Sequence, residues 1–164
     1  MKLYHYYSLD NLPNFFNKEL DRLNSSIDQS EGFQNKKYIK DFSDEFKSNL
    51  NIFLEDQLEK KIKVSEGWMN YIKRTRTSNG FDWHNESGVG GIHNEDDDQF
   101  VCIIWLHGDT GCGGEFKFIH DETNEITVVP FSPPGFMVIS KNTLHAVNHY
   151  SGANYRISLN LNFE

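Results

Sequence analysis

Hydrophobic positions recur at helical spacing before Val64 and at strand spacing after it. Leu12, Phe15, Phe16, Leu20 and Leu23 form the first apolar stripe. Ser8-Leu9-Asp10 reads as its start, Pro13 falls in its first turn, and Asn24-Ser25-Ser26 ends it. A polar loop then runs to about Asn35. In the longer second helix Tyr38, Ile39, Phe42, Phe46, Leu50, Phe53, Leu54 and Leu58 share one stripe, with Lys, Asp and Glu opposite. A helix with a single broad apolar stripe covers something flat, and a sheet is the expected partner.

Beyond Val64 the pattern predicts strands at Trp68 to Thr75, Phe81 to His84, Phe100 to Leu106, Glu115 to Ile119, Ile126 to Val129 and Gly135 to Ser140. A last, long strand begins near Tyr155. Phe100 to Leu106 is apolar at every position, which marks a central strand buried on both faces. In the last strand Tyr155, Ile157, Leu159, Leu161 and Phe163 share one face, while Arg156, Ser158, Asn160 and Asn162 share the other. Gly108 to Gly114 reads as a glycine-rich turn, and Ser87 to Asp98 as a loop, glycine-rich and then acidic. Two helices followed by about eight short strands give an α+β chain. Closely spaced antiparallel strands point to a jelly-roll or double-stranded barrel whose polar inner face lines a cavity. The expected organisation is one domain, with helical support over residues 1–63 and a β core over 64–164.

Composition narrows the function classes. A net charge of −8 opposes general binding to a phosphate backbone, and the basic run Lys73-Arg74-Thr75-Arg76 is short. The two cysteines have no zinc or disulfide spacing, so a reducing compartment is expected. No segment approaches the roughly 20 apolar residues needed to span a bilayer, so a cytoplasmic protein is expected.

Candidate chemistry sits at strand ends. In extended backbone His84 and Glu86 point to one side, so an imidazole and a carboxylate can meet one ion. The same tripeptide recurs as His93-Asn94-Glu95, but in the glycine-rich and acidic loop. The first copy closes a strand, where ligands are held rigidly, and is preferred. A third ligand from another strand would complete two histidines and one carboxylate, the set that leaves positions open on iron(II). His145, ahead of a strand carrying Arg156 and Ser158, offers an imidazole beside a carboxylate-binding cation. His149 has no assigned role.

Trp68 to Phe163 resembles the 2-oxoglutarate- and iron(II)-dependent oxygenases, closest to the prolyl 4-hydroxylase-like branch. The resemblance rests on Trp68-Met69-Asn70-Tyr71, on Gly80 ahead of Trp83-His84-Asn85-Glu86, and on Ile103-Ile104-Trp105-Leu106. It continues through Gly113-Gly114-Glu115-Phe116, Pro134-Gly135-Phe136, His145 and Tyr155-Arg156-Ile157-Ser158-Leu159. It implies a double-stranded β-helix with N-terminal helices packed on one sheet. It implies that His84, Glu86 and His145 bind Fe(II), that Arg156 pairs with the distal carboxylate of 2-oxoglutarate, and that Ser158 adds a hydrogen bond.

The sequence departs from the family pattern twice. Glu86 stands where aspartate is usual, and Trp105 where many relatives carry a cosubstrate-binding tyrosine, with Tyr71 or Asn70 as its expected substitutes. The implied reaction is a dioxygenase cycle using O2 and releasing succinate and CO2, with hydroxylation rather than halogenation because Glu86 occupies the carboxylate position. A peptide or protein side chain of the prolyl type is the leading substrate, with free amino acids and nucleobases open. The acidic loop, a candidate lid, slightly favours a basic or neutral substrate over a nucleic acid. The reading from another class is a non-catalytic cupin-type binding module, and a site holding zinc or manganese is a third.

Overall fold

The computed structural model describes residues 5–27, 34–73, 81–84, 100–120, 122–140 and 143–163; for 5–8, 34–35 and 81–84 only the backbone is described. Ten strands and two helices are assigned among the described residues. A six-stranded antiparallel sheet runs β1 (His5–Ser8), β8 (Gly135–Ser140), β5 (Phe100–His107), β10 (Arg156–Phe163), β3 (Val64–Ile72), β2 (Gln34–Tyr38). A four-stranded sheet runs β4 (Phe81–His84), β9 (His145–Val147), β6 (Phe116–Ile119), β7 (Ile126–Val129). The expected strands at 81–84, 126–129 and 135–140 have those bounds, and β5 sits inside its sheet as its uniform apolarity requires.

Period-two alternation divides the six-stranded sheet into two packed faces. Met69, Tyr71, Cys102, Ile104, Phe136, Val138, Ile157, Leu159, Leu161 and Phe163 meet the helices in one core. Val101, Ile103, Trp105, Met137 and Ile139 meet Phe116, Phe118 and Val129 of the second sheet in another. The sheets therefore face each other across the second core, and the helices cover the outside of the larger one. Phe53 of α2 (Asp44–Leu58) packs edge-on against Phe136 at 6.4 Å.

The N-terminal third differs from expectation. β1 and β2 join the six-stranded sheet, so residues 1–63 contribute strands as well as helical support. Tyr38 ends β2, Ile39–Asp41 is a single 3-10 turn, and Phe42 is extended with φ −77° and ψ 145°. The long apolar stripe is thus broken before α2 begins. The reason is local: Ser43 caps α2, its Oγ accepting from the Phe46 N–H at 3.1 Å, and an N-cap residue is non-helical. Likewise Pro13 precedes α1 (Asn14–Asn24) rather than sitting inside it.

Glu19 of α1, buried to 3 % exposure, ties the two helices together. Its carboxylate accepts from the Ser43 N–H at 3.2 Å, from Ser43 Oγ at 2.6 Å and from Arg22. Burial alone raises a carboxyl's pKa, but the hydrogen bonds from Ser43 and Arg22 outweigh it and hold Glu19 below its usual value. Its contribution is present above the unfolded carboxyl pKa of about 4.3 and is lost as pH falls through the depressed folded value. Glu19→Gln should therefore cost about 1–3 kcal/mol at neutral pH and flatten the acid limb of stability below about pH 5. Chemical denaturation across that range measures both effects.

Candidate active site between the two sheets

Arg156 opens β10 on the face turned toward the second sheet. It is 2 % exposed. Its Nε and Nη2 donate to the Gly114 carbonyl at 3.2 and 3.0 Å, and its guanidinium lies 4.7 Å over the Phe131 ring. No carboxylate among the described residues lies within ion-pair distance of it. Burial pushes its pKa down to about 10, against the opposing influence of Tyr150 and Glu115, so it is a cation at neutral pH. A buried cation with one neutral acceptor and an aromatic face is poised for an anion.

Glycines make the room. Gly114 has φ +77°, and a Cβ there would lie 2.9 Å from Arg156 Nε and 3.2 Å from Tyr150 Cδ2. A Cβ on Gly113 would lie 2.0 Å from the His149 carbonyl oxygen, which accepts from the Gly114 N–H. Gly114→Ala should therefore push the guanidinium off its acceptor while leaving its charge in place. An approximately tenfold weaker binding of a dicarboxylate is expected by titration calorimetry with 2-oxoglutarate, together with a lower melting temperature, because alanine is strained at that φ.

The loops around Arg156 are latched. The Tyr150 hydroxyl accepts from the Asp109 N–H at 3.0 Å and donates to the Asn154 carbonyl at 2.6 Å. The Asp109 carboxylate accepts from the Asn154 N–H and side-chain amide at 3.0 and 2.9 Å. These bonds fasten the turn after β5 to the turn before β10. Sequence reading assigned no role to Asp109, Phe131, Tyr150 or Asn154, because nothing local marks residues that meet only through two distant turns.

The remaining predicted positions sort by sheet face. Ser158 (2 % exposed) pairs across the ladders with Asn70 on β3 and Trp105 on β5, so these three share the inner face with Arg156. The Ser158 Oγ accepts from Asn160 Nδ2 at 3.4 Å. Trp105 is fully buried, edge-on to Phe131 at 5.5 Å, in the aromatic wall that carries the guanidinium. Tyr71 does not join them. It sits in the helix-facing core, its hydroxyl donating to Met69 Sδ at 3.1 Å, and burial with the nearby Glu19 raises its phenol pKa. Consecutive strand residues cannot share a face, so Asn70 excludes Tyr71 from the site.

On the second sheet His145 is buried at 3 % exposure. Its Nδ1 lies 2.9 Å from the Thr143 carbonyl, which can only accept, so Nδ1–H donates and the ring lone pair is on Nε2. Phe116 stacks on its ring at 5.2 Å. The ladder pairs His84 directly opposite His145, so two positions 61 residues apart in the chain become cross-strand neighbours. Glu86, the His93-Asn94-Glu95 copy, Gly80, the expected lid Ser87 to Asp98 and Arg74 to Arg76 lie outside the described residues. Among the described residues alone no group of three or more metal-ligating side chains is gathered. No helix among them is long and apolar enough to cross a membrane.

No protein-family model matches the chain, and no curated protein does. Solved structures do. Over 98 % of this chain and 91 % of the other, it is similar to a Pseudomonas putida prolyl-4-hydroxylase, at 14 % identity and a TM-score of 0.63. It is similar to a Burkholderia pseudomallei oxidoreductase of the 2OG-Fe(II) oxygenase family, covering 99 % and 84 % at 17 % identity and a TM-score of 0.62. It is also similar to EctD from S. alaskensis with 2-oxoglutarate and 5-hydroxyectoine, covering 98 % and 71 % at 13 % identity and a TM-score of 0.66. At these identities the likeness establishes the fold: the chain has the fold of proteins named as 2-oxoglutarate oxygenases.

Proposed function

We propose that this chain is a 2-oxoglutarate- and Fe(II)-dependent dioxygenase, built as a double-stranded β-helix, that hydroxylates a peptide or protein side chain of the prolyl type. One observation carries the reading: the buried Arg156 has no carboxylate within ion-pair distance among the described residues and shares with Ser158 the face turned toward the sheet that carries His145. The donor chemistry fits an iron(II) site, because the Thr143 carbonyl fixes the His145 tautomer that leaves Nε2 basic.

His84, His145 and Glu86 would hold the iron. Bound there with 2-oxoglutarate, it would supply the oxidation by O2 that hydroxylates the substrate and releases succinate and CO2. Arg156 binds the distal carboxylate of the cosubstrate through its guanidinium fork, and Ser158 adds a hydroxyl from the next inner position of the same strand. Gly114 orients the fork through its carbonyl, and the Asp109–Tyr150–Asn154 latch keeps that carbonyl in register. Trp105, Phe131 and Phe116 wall the space and exclude water, which strengthens every charge interaction inside it.

The purified chain, supplied with Fe(II), 2-oxoglutarate and O2, should form succinate, and a prolyl peptide should accelerate it. Metal binding without 2-oxoglutarate binding or succinate would instead identify a cupin-type binding module.

A further inference from the structure

The inner face of the six-stranded sheet extends past Arg156 and Ser158 to the edge strand β2. The ladders form cross-strand rows: Lys36, Asn70, Ser158 and Trp105, and beside it Tyr38, Trp68, Asn160 and Ile103. Residues in one row share a face, and adjacent strands are about 4.8 Å apart, so Lys36 stands roughly 10 Å from Ser158. Ile103 and Trp105 are buried under the second sheet, but Lys36 and Tyr38 are exposed, Tyr38 to 49 %, and Trp68 is half-buried. The described part of the second sheet leaves this end of the rows open as a cleft of about 660 Å³ lined by Lys36, Tyr38, Lys40, Glu66 and Trp68 among others.

The charge of the cleft opposes that of the chain. Lys36 and Lys40 bring two exposed ammonium groups into it, with the Lys36 Nζ 6.0 Å over the Trp68 ring. The Glu66 carboxylate is engaged by the buried Asn162 amide at 3.2 Å. Lys37, between them, is turned away to the Ser26 carbonyl at 2.9 Å. A protein of net charge −8 thus presents two cations against one amide-bound carboxylate, with two aromatic rings, at the open end of the rows that carry its candidate cosubstrate residues.

We propose that this cleft is the substrate subsite and that it takes an acidic peptide segment, its carboxylates on Lys36 and Lys40 and an apolar side chain against Trp68 and Tyr38. The inference rests on the oxygenase reading and names its substrate class. It reverses the preference for a basic or neutral substrate expected from the acidic loop, because the lysines become neighbours of the site only through the β2–β3 ladder. A substrate seated there would lie across two strands from Ser158, close enough for a side chain to enter the space between the sheets.

The test is equilibrium binding by calorimetry, with Mn(II) replacing iron so that no turnover occurs, in the presence of 2-oxoglutarate. Three probes are compared: a proline-centred peptide flanked by glutamates, its lysine-flanked counterpart, and free proline. The glutamate peptide should bind about tenfold or more tighter than the other two, and the difference should shrink between about 0.05 and 0.5 M salt. Lys36→Glu with Lys40→Glu should abolish that preference while 2-oxoglutarate affinity and melting temperature hold, since both positions are exposed. Trp68→Ala should weaken all peptide binding. Equal affinity for the two peptides, or a charge-reversed variant that keeps the preference, overturns the subsite. Failure of the wild-type chain to bind 2-oxoglutarate overturns the oxygenase reading and the subsite with it, so the two failures are separable.

Discussion

Arg156→Met should lower 2-oxoglutarate affinity by at least about 100-fold while leaving the melting temperature unchanged or higher. The two halves of that result come from one fact. The guanidinium is desolvated, held by a neutral carbonyl and the Phe131 face, and has no carboxylate within ion-pair distance among the described residues, Glu115 acting on it only from further away. In the free protein that arrangement is costly, and a flexible apolar side chain of similar length removes the cost. In the complex the guanidinium gains its anion, and breaking a buried charge pair typically costs about 3–5 kcal/mol, or roughly 100-fold to several thousand-fold in affinity. Arg156→Lys keeps the charge but loses the fork and should fall between the two. Calorimetric titration with 2-oxoglutarate and a thermal melt of each variant measure both halves. Retained affinity in Arg156→Met would remove the anion site from the proposal.

His145→Ala should lose Fe(II) binding by at least about 100-fold in an intact fold. Perturbing a ligand's supporting hydrogen bond already costs about 10- to 100-fold, and removal of the ligand costs more. The ring is stacked on Phe116 and anchored to the Thr143 carbonyl, so His145→Gln, which keeps bulk and polarity, guards against a packing artefact. Anaerobic Fe(II) titration read by absorbance reports the loss directly. His84→Ala should match it, and His93→Ala should not. If His93→Ala alone lost metal, the second His-x-Glu copy would be the ligand and the cross-strand pairing of positions 84 and 145 would have another purpose.

Much of this chain was legible as pattern. The uniform apolarity of Phe100 to Leu106 predicted a strand with structure on both sides, and β5 is such a strand. Alternation from Tyr155 onward divided the last strand into a helix-packed face and a face carrying Arg156 and Ser158, and the two cores divide there. The N-terminal region departs from its pattern where local signals compete. The stripe through Tyr38, Ile39 and Phe42 has helical spacing, but Ser43 caps α2, Ile39–Asp41 is a 3-10 turn, and Tyr38 ends a strand whose partner is β3. Pairing partners are not written in a strand's own residues, so β1 and β2 were invisible.

Period and chemistry follow from the residues alone: which side chains share a strand face, and that the chain owns a cation, a hydroxyl and histidines at strand ends. Alternation is a covalent property of extended backbone and needs no tertiary context. Which residues meet depends on how the segments pack. It put Asn70 rather than Tyr71 on the inner face, set His84 opposite His145, and gave Arg156 a carbonyl and a ring instead of water. Those are matters of register and burial between segments far apart in the chain, and they follow from the packing of the two sheets.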